Sequence, residues 1–133
     1  MAGERDLKKL LRGLRPDLHP GAYVFVTLPG GDQPAGLNPV VTVREAEGLT
    51  LVLPREEADA SGLPYTYTAG WITLRVHSAL EAVGLTAAVS AALEQAGLSC
   101  NVVAGYHHDH LFVPYERASV AIAVLEDLAG RTA

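Results

Sequence analysis

One cysteine, one tryptophan, one methionine and two phenylalanines are all that this chain of 133 residues carries of those types. The lone Cys100 leaves no internal disulfide to form, so a reducing setting, the cytoplasm, is expected. Basic residues are scarce as well: 10 lysines and arginines stand against 15 acidic residues, for a net charge of −5. A nucleic-acid surface needs clustered positive charge, so nucleic acid is not an expected partner. No apolar run approaches the roughly 20 residues that span a bilayer, and no membrane partner is expected. The opening MAGERDLKKLL carries charge where a secretory peptide needs its apolar core, so no export signal is expected. Apolar side chains, by contrast, are abundant. They make up 49% of the chain, enough for one compact core or two small ones packed together.

Leu7, Leu10, Leu11 and Leu14 recur at i, i+3, i+4 and i+7, which predicts a short amphipathic helix over 6–14, ended at the Arg15-Pro16 step. So short a helix is marginal alone and must dock its leucines on something. Tyr23 to Leu28 reads as a strand, and PGGDQPAGLNP (29–39) as a loop without periodicity. Gly30-Gly31 cannot cradle phosphate in the usual way, since neither a lysine nor a helix follows. Residues 40–44 and 49–53 read as a hairpin, and Pro54 opens a helix over 55–61. The neighbouring carboxylates Glu56 and Glu57 diverge by about 100° on a helix, so they suit its positive end better than a shared substrate atom.

From Trp71 onward the pattern is clearer. Ile72, Leu74 and Val76 alternate with Trp71, Thr73, Arg75 and His77, as in a half-buried strand. Leu85, Ala88, Val89, Ala92, Leu93 and Ala96 then follow helical spacing, with Gly97 placed for a left-handed cap. Strands over 99–104 and 109–113 follow, then a helix over 115–129 that Gly130 is expected to stop. The run LVLPREEA (51–58) is echoed by LFVPYERA (111–118), which points to a duplicated unit. The expected fold is α+β and ferredoxin-like, of the βαββαβ type. It comprises two tandem halves, 1–69 and 70–133, with an antiparallel sheet and helices on one face. The second half lacks only its last strand and the first half its first. An open edge of that kind invites pairing, so a homo-oligomer, a dimer, is expected.

Gly84-Leu85-Thr86 opening a helix, followed by Ala96-Gly97-Leu98-Ser99-Cys100-Asn101-Val102 turning into a strand, resembles the ACT domain. Glu81-Ala82-Val83-Gly84 stands where that family usually has Asp-x-Pro-Gly. The runs VHSALEAVGLTAAVS, CNVVAGYHHDHLFVP and EGLTLVLPREEA further resemble short stand-alone bacterial proteins with tandem ACT-like halves. The resemblance implies a regulatory or sensor module rather than an enzyme, without a cofactor, that binds an amino acid or similar small effector. The ligand is then expected at the Gly84 junction, between halves or between subunits. Backbone amides of Gly84, Leu85 and Thr86 would hold a carboxylate there, with polar help from His77, Ser78 and Asn101.

The cluster Tyr106-His107-His108-Asp109-His110 carries the other chemical signal. If Leu111 and Val113 face the helices, His108, His110 and Phe112 face the open side of the sheet, as His77 does. Three imidazoles converging there would suit Zn²⁺ or another divalent metal, which gives a metal protein or enzyme as the alternative. Against it, no standard zinc spacing is present, and a His/Asp turn is often only polar. Cys100 beside a histidine could be a nucleophile, though its strand position suits a buried small hydrophobe. A structural module that docks another chain on this face is the third reading.

Overall fold

The computed structural model describes residues 6–30, 32–76 and 84–132. In chain order the elements are α1 (Leu7–Arg12), β1 (Pro16–Leu18), β2 (Tyr23–Leu28), β3 (Val41–Glu45), β4 (Gly48–Pro54), α2 (Arg55–Ala60), β5 (Thr68–Leu74), α3 (Leu85–Gln95), β6 (Asn101–Ala104), β7 (Asp109–Pro114) and α4 (Ala118–Thr132). One turn of 3₁₀ helix, Tyr115–Arg117, leads into α4. The chain divides into two compact units, one of residues 21–69 and one that joins residues 1–20 to 70–133.

In the smaller unit the strand order is β3-β4-β2, with Thr68 and Ala69 of β5 pairing Val24 and Tyr23. Apart from one missing helix this is a βαββαβ order. Residues 29–30 and 32–40 stand where the first helix would be and form none, because their prolines and glycines cannot sustain one. Leu37 anchors that loop in the core with Val24, Val26, Leu28, Leu49, Leu51, Leu53 and Ala58. Glu57 holds the loop at Asn38, whose backbone N–H donates to its carboxylate at 2.7 Å. That contact gives Glu57 a structural task.

The larger unit has the strand order β1-β5-β7-β6. The last strand that the second half lacks on sequence is supplied by β1, where Pro16, Asp17 and Leu18 pair antiparallel with Leu74, Thr73 and Ile72. Residues 1–20 therefore fold with 70–133 rather than with the first half to which the sequence reading gave them. Sequence alone could not reveal β1, since three residues, Pro-Asp-Leu, show no periodicity. The leucine stripe of α1 docks here: Leu10, Leu11 and Leu14 are buried with Ile72, Leu74, Leu85, Val89, Leu93, Leu111, Val113 and Leu125. Asp6 caps α1 by accepting from the amides of Lys8 and Lys9 at 3.0 and 3.3 Å.

The internal echo survives as matched conformation. Pro54 (φ −56, ψ 135) and Pro114 (φ −54, ψ 130) turn strand into helix alike, and Ala58 and Ala118 are both buried behind them. Gly97 takes the left-handed conformation at φ 75. Its N–H bonds Glu94 O at 2.9 Å and that of Leu98 bonds Leu93 O at 3.0 Å, the paired closure of a Schellman motif. Gly130 does not stop α4, which runs to Thr132; a glycine in the last turn breaks few helical bonds.

Truncating Leu10 to alanine is expected to lower stability by about 2–5 kcal/mol, read as a lower urea midpoint. An unchanged midpoint would mean that α1 is an appendage and not part of the larger core. Gly48 stands at φ 155, and a Cβ there would meet Leu28 O at 2.9 Å. Gly48→Ala should therefore cost about 1–3 kcal/mol in the same assay, by overpacking and strain.

Candidate functional site

Alternation along the strands of the larger unit divides its chemistry between two faces. Ile72, Leu74, Leu111 and Val113 lie in the helix-covered core. Trp71 and Thr73 of β5, His110 and Phe112 of β7, and Asp17 of β1 lie on the other face, with Asp17 opposite Thr73 in register. The expectation that Leu111 and Val113 face the helices and His110 and Phe112 do not is met. The second face is not open throughout, since Phe112 is wholly buried and Thr73 is 3% exposed. Thr73 is the one buried polar residue among the described residues.

Four side chains on this face form a connected set. The Trp71 indole N–H donates to His110 Nδ1 at 3.1 Å. Thr73 Oγ1 lies 3.1 Å from the same Nδ1 and 2.7 Å from His19 Nε2. The His19 ring stacks on Trp71, with centroids 3.5 Å apart and planes 12° from parallel. An indole N–H can only donate, so His110 Nδ1 must accept and its proton must sit on Nε2. The hydroxyl of Thr73 then donates to His110 and accepts from His19 Nε2–H. One orientation of protons makes all three contacts hydrogen bonds, with the single Nδ1 lone pair of His110 shared between the indole and the hydroxyl.

The backbone fixes these rings in place. His19 follows β1 directly, and its N–H donates to Trp71 O at 2.9 Å. Arg75 binds Asp17 through Nη2 at 3.0 Å and Nε at 3.2 Å; both side chains are half-exposed, so this pair adds little stability. On the far side of His110, a Cβ on Gly105 would meet His108 O at 2.8 Å and His110 Nε2 at 3.2 Å. Only glycine fits that turn without moving the ring.

Burial is the largest influence holding His110 below the usual histidine range; His108, His19 and Arg75 push the same way and Asp109 opposes them. Burial also lowers His19, with Asp17 opposing and Arg75 assisting. Asp109 is raised by burial, against the pull of His110 and His108. Burial pushes the Cys100 thiol up to about 11, so it stays protonated near neutrality and packs as a small apolar group.

The residues expected to bind ligand are dispersed. His77 and Ser78 lie outside the described residues. Gly84 is the N-cap of α3 at φ 98, and a Cβ on it would meet Leu7 Cδ2 at 3.1 Å. Leu85 is buried in the core while Thr86 is exposed, so Leu85 can offer a ligand only its backbone. Asn101 is exposed at the start of β6, opposite Phe112. The 11 residues of α3, about 16 Å of helix, separate Gly84 from the turn leading to Asn101, and a single chain does not bring the two together.

Of the three histidines weighed as metal ligands, His77 is outside the described residues and His110 has one nitrogen engaged by Trp71. The Nδ1 of His108 is buried without a hydrogen-bond partner. Among the described residues no group of three or more His, Cys, Asp or Glu side chains could hold a metal ion. Sequence reasoning missed His19 and Thr73. Thr73 was legible as a neighbour of Trp71 on one strand face, but nothing near His19 signals that its segment is a strand of the second half.

Comparison with known proteins agrees with this architecture. One ACT domain family model matches residues 2–70 and a second ACT domain model matches residues 66–127. A solved structure from Vibrio cholerae, described as a protein of unknown function and possible transport protein, is 46% identical; the match covers 94% of this chain and 97% of that one, with a TM-score of 0.83. An Agrobacterium tumefaciens protein is 18% identical over 87% of this chain and 89% of its own, with a TM-score of 0.74. The regulatory subunit of aspartate kinase from Thermus flavus is 11% identical over 87% and 96%, with a TM-score of 0.64, which is a likeness of fold alone. A search of curated proteins returns no match. No helix among the described residues is long and apolar enough to cross a membrane. Two tandem ACT models over one α+β, ferredoxin-like chain place this protein in the ACT domain family of regulatory, small-ligand-binding modules.

Proposed function

We propose that the protein is a non-catalytic regulatory module whose effector is an amino acid or a chemically similar small carboxylate. The observation that carries this reading is Gly84. It caps α3 from the left-handed region without a side chain, which leaves the first-turn amides to a ligand's carboxylate. Gly84, Leu85 and Thr86 contribute backbone N–H groups, and exposed Thr86 adds its hydroxyl. His77 and Ser78, in the segment leading into this turn, supply polar side chains. Asn101 comes from a second copy of the chain, since α3 separates it from Gly84 in its own. A dimer fits the same reading, because β6 ends its unit's strand order and leaves an edge that another strand can pair. The metal-protein alternative draws no support from the described residues.

A thermal-unfolding screen against the amino acids tests the effector. The right one at a hundred times its Kd should stabilise the fold by about 2.7 kcal/mol. Thr86→Ala and Asn101→Ala should each weaken its binding about tenfold, as the loss of one good hydrogen bond does. A panel with no shift and no calorimetric heat would refute the reading.

The dimer has its own test. Light scattering should return twice the 14.0 kDa chain mass, and a monomer with ligand bound would remove Asn101 from the site.

A further inference from the structure

We propose that the Trp71–His110 hydrogen bond is an acid-released latch, made only while His110 Nδ1 carries no proton, and that its release loosens the hold on β1. Trp71 Nε1 can give a proton but never take one, and it lies 3.1 Å from His110 Nδ1. Protonation at Nδ1 sets two N–H groups against each other, so the indole loses this acceptor. Thr73 is affected in turn. Its hydroxyl, at 3.1 Å from that nitrogen, would have to accept from both imidazoles, and its own proton would lose His110 as a partner within a 3% exposed site.

His19 is where the effect reaches β1. Its ring has two contacts of note, the stack on Trp71 and the 2.7 Å bond to Thr73. Both partners are residues that neutral His110 holds. The charged and titratable groups that act on His110 are His19 just after β1, Arg75 just after β5, His108 just before β7 and Asp109 at its start, while Asp17 of β1 acts on His19. The β6 side brings apolar Val103 opposite it, and Gly105 packs against Nε2. Asp17 is engaged by Arg75, and Asp109 is the acid that offsets a charge on His110. These surroundings favour the neutral ring, in agreement with the lowered pKa of His110 and of His19. Because both fall below the ordinary value of 6.5, their stabilising contribution is complete above that pH. It is lost as pH falls through the folded values. Asp109, raised by burial, acts in the opposite sense nearer its own range: its contribution is present in acid and lost as pH rises.

Trp71 is the only tryptophan, so its indole N–H is an unambiguous reporter. The experiment follows that resonance and the imidazole nitrogens of ¹⁵N-labelled protein by NMR from about pH 8 to about pH 5, across the histidine range. Neutral His110 should be the Nε2–H tautomer, and the indole signal should move with the His110 ring at a midpoint below its ordinary value. Protection of the His19 amide, corrected for the intrinsic exchange rate, should fall over the same interval. In His110→Asn, whose Oδ1 can accept from Trp71 but does not titrate, the indole signal should stay fixed. In His19→Gln it should still respond. An Nδ1–H tautomer, an indole response that follows His19 instead, an unmoved indole while His110 titrates, or a His110 ring still neutral at about pH 5 would each overturn the latch. Constant His19 protection would overturn its link to β1. If His110→Asn fails to fold, the wild-type tautomer and midpoint decide the matter.

Discussion

Backbone pairing of Pro16–Leu18 with Ile72–Leu74 closes the strand order β1-β5-β7-β6, and the rest of the larger unit depends on that closure. Without it, the carbonyls and N–H groups of β5 from Ile72 to Leu74 would need other partners, and an unmade backbone bond in a buried strand is costly. Three residues of strand are a weak hold by themselves. They are reinforced on one side by α1, whose Leu10, Leu11 and Leu14 enter the same apolar cluster as Leu74 and Leu85. On the other side they are reinforced by His19 against Trp71 and by Asp17 against Arg75. The N-terminal segment is thus fixed through both faces of the sheet it completes.

The two units reach the same strand order by different departures from a simple βαββαβ run. The smaller unit gives up its first helix and fills that place with a loop pinned by Leu37 and by the Asn38–Glu57 bond. The larger unit keeps both helices and takes its closing strand from the opposite end of the sequence. What they retain in common is the strand–proline–helix corner, where Pro54 and Pro114 adopt nearly the same dihedrals. Proline's fixed φ makes that corner insensitive to its surroundings, which is why it stayed recognisable in sequence when neighbouring residues did not.

Legibility followed the strength of local patterns. The alternation from Trp71 to Leu74, the helical period of α3 and the Gly97 cap are local, and each was readable residue by residue. The membership of residues 1–20 was not, because an amphipathic helix announces that it must dock without saying where. The candidate site divides in the same way. Gly84 and Asn101 were visible as a glycine before a helix and a polar residue opening a strand. That α3 holds them apart within one chain follows from helix length, which a motif does not carry. The His19–Thr73–His110 set could not be read as a set, since His19 joins it only through the register of β1 on β5, and His110 through the placing of β7 beside β5.

That register also explains why polar residues persist on a sheet face where Phe112 is fully buried. Burying a hydroxyl, and two imidazoles in part, costs energy unless their donors meet acceptors. Here the indole and the hydroxyl share one nitrogen of His110 as their acceptor, and the hydroxyl accepts from His19. An apolar replacement at any one position would leave the others with unmet partners, so the set behaves as a unit. A polar unit of this kind specifies register, because sliding β1 by one residue would carry His19 to the opposite face of the sheet. Hydrophobic contacts of α1 alone do not impose that register, since leucines tolerate small shifts better than hydrogen bonds do. The polar set therefore fixes which strand position the N-terminal segment takes, and the leucines supply most of the energy that keeps it there.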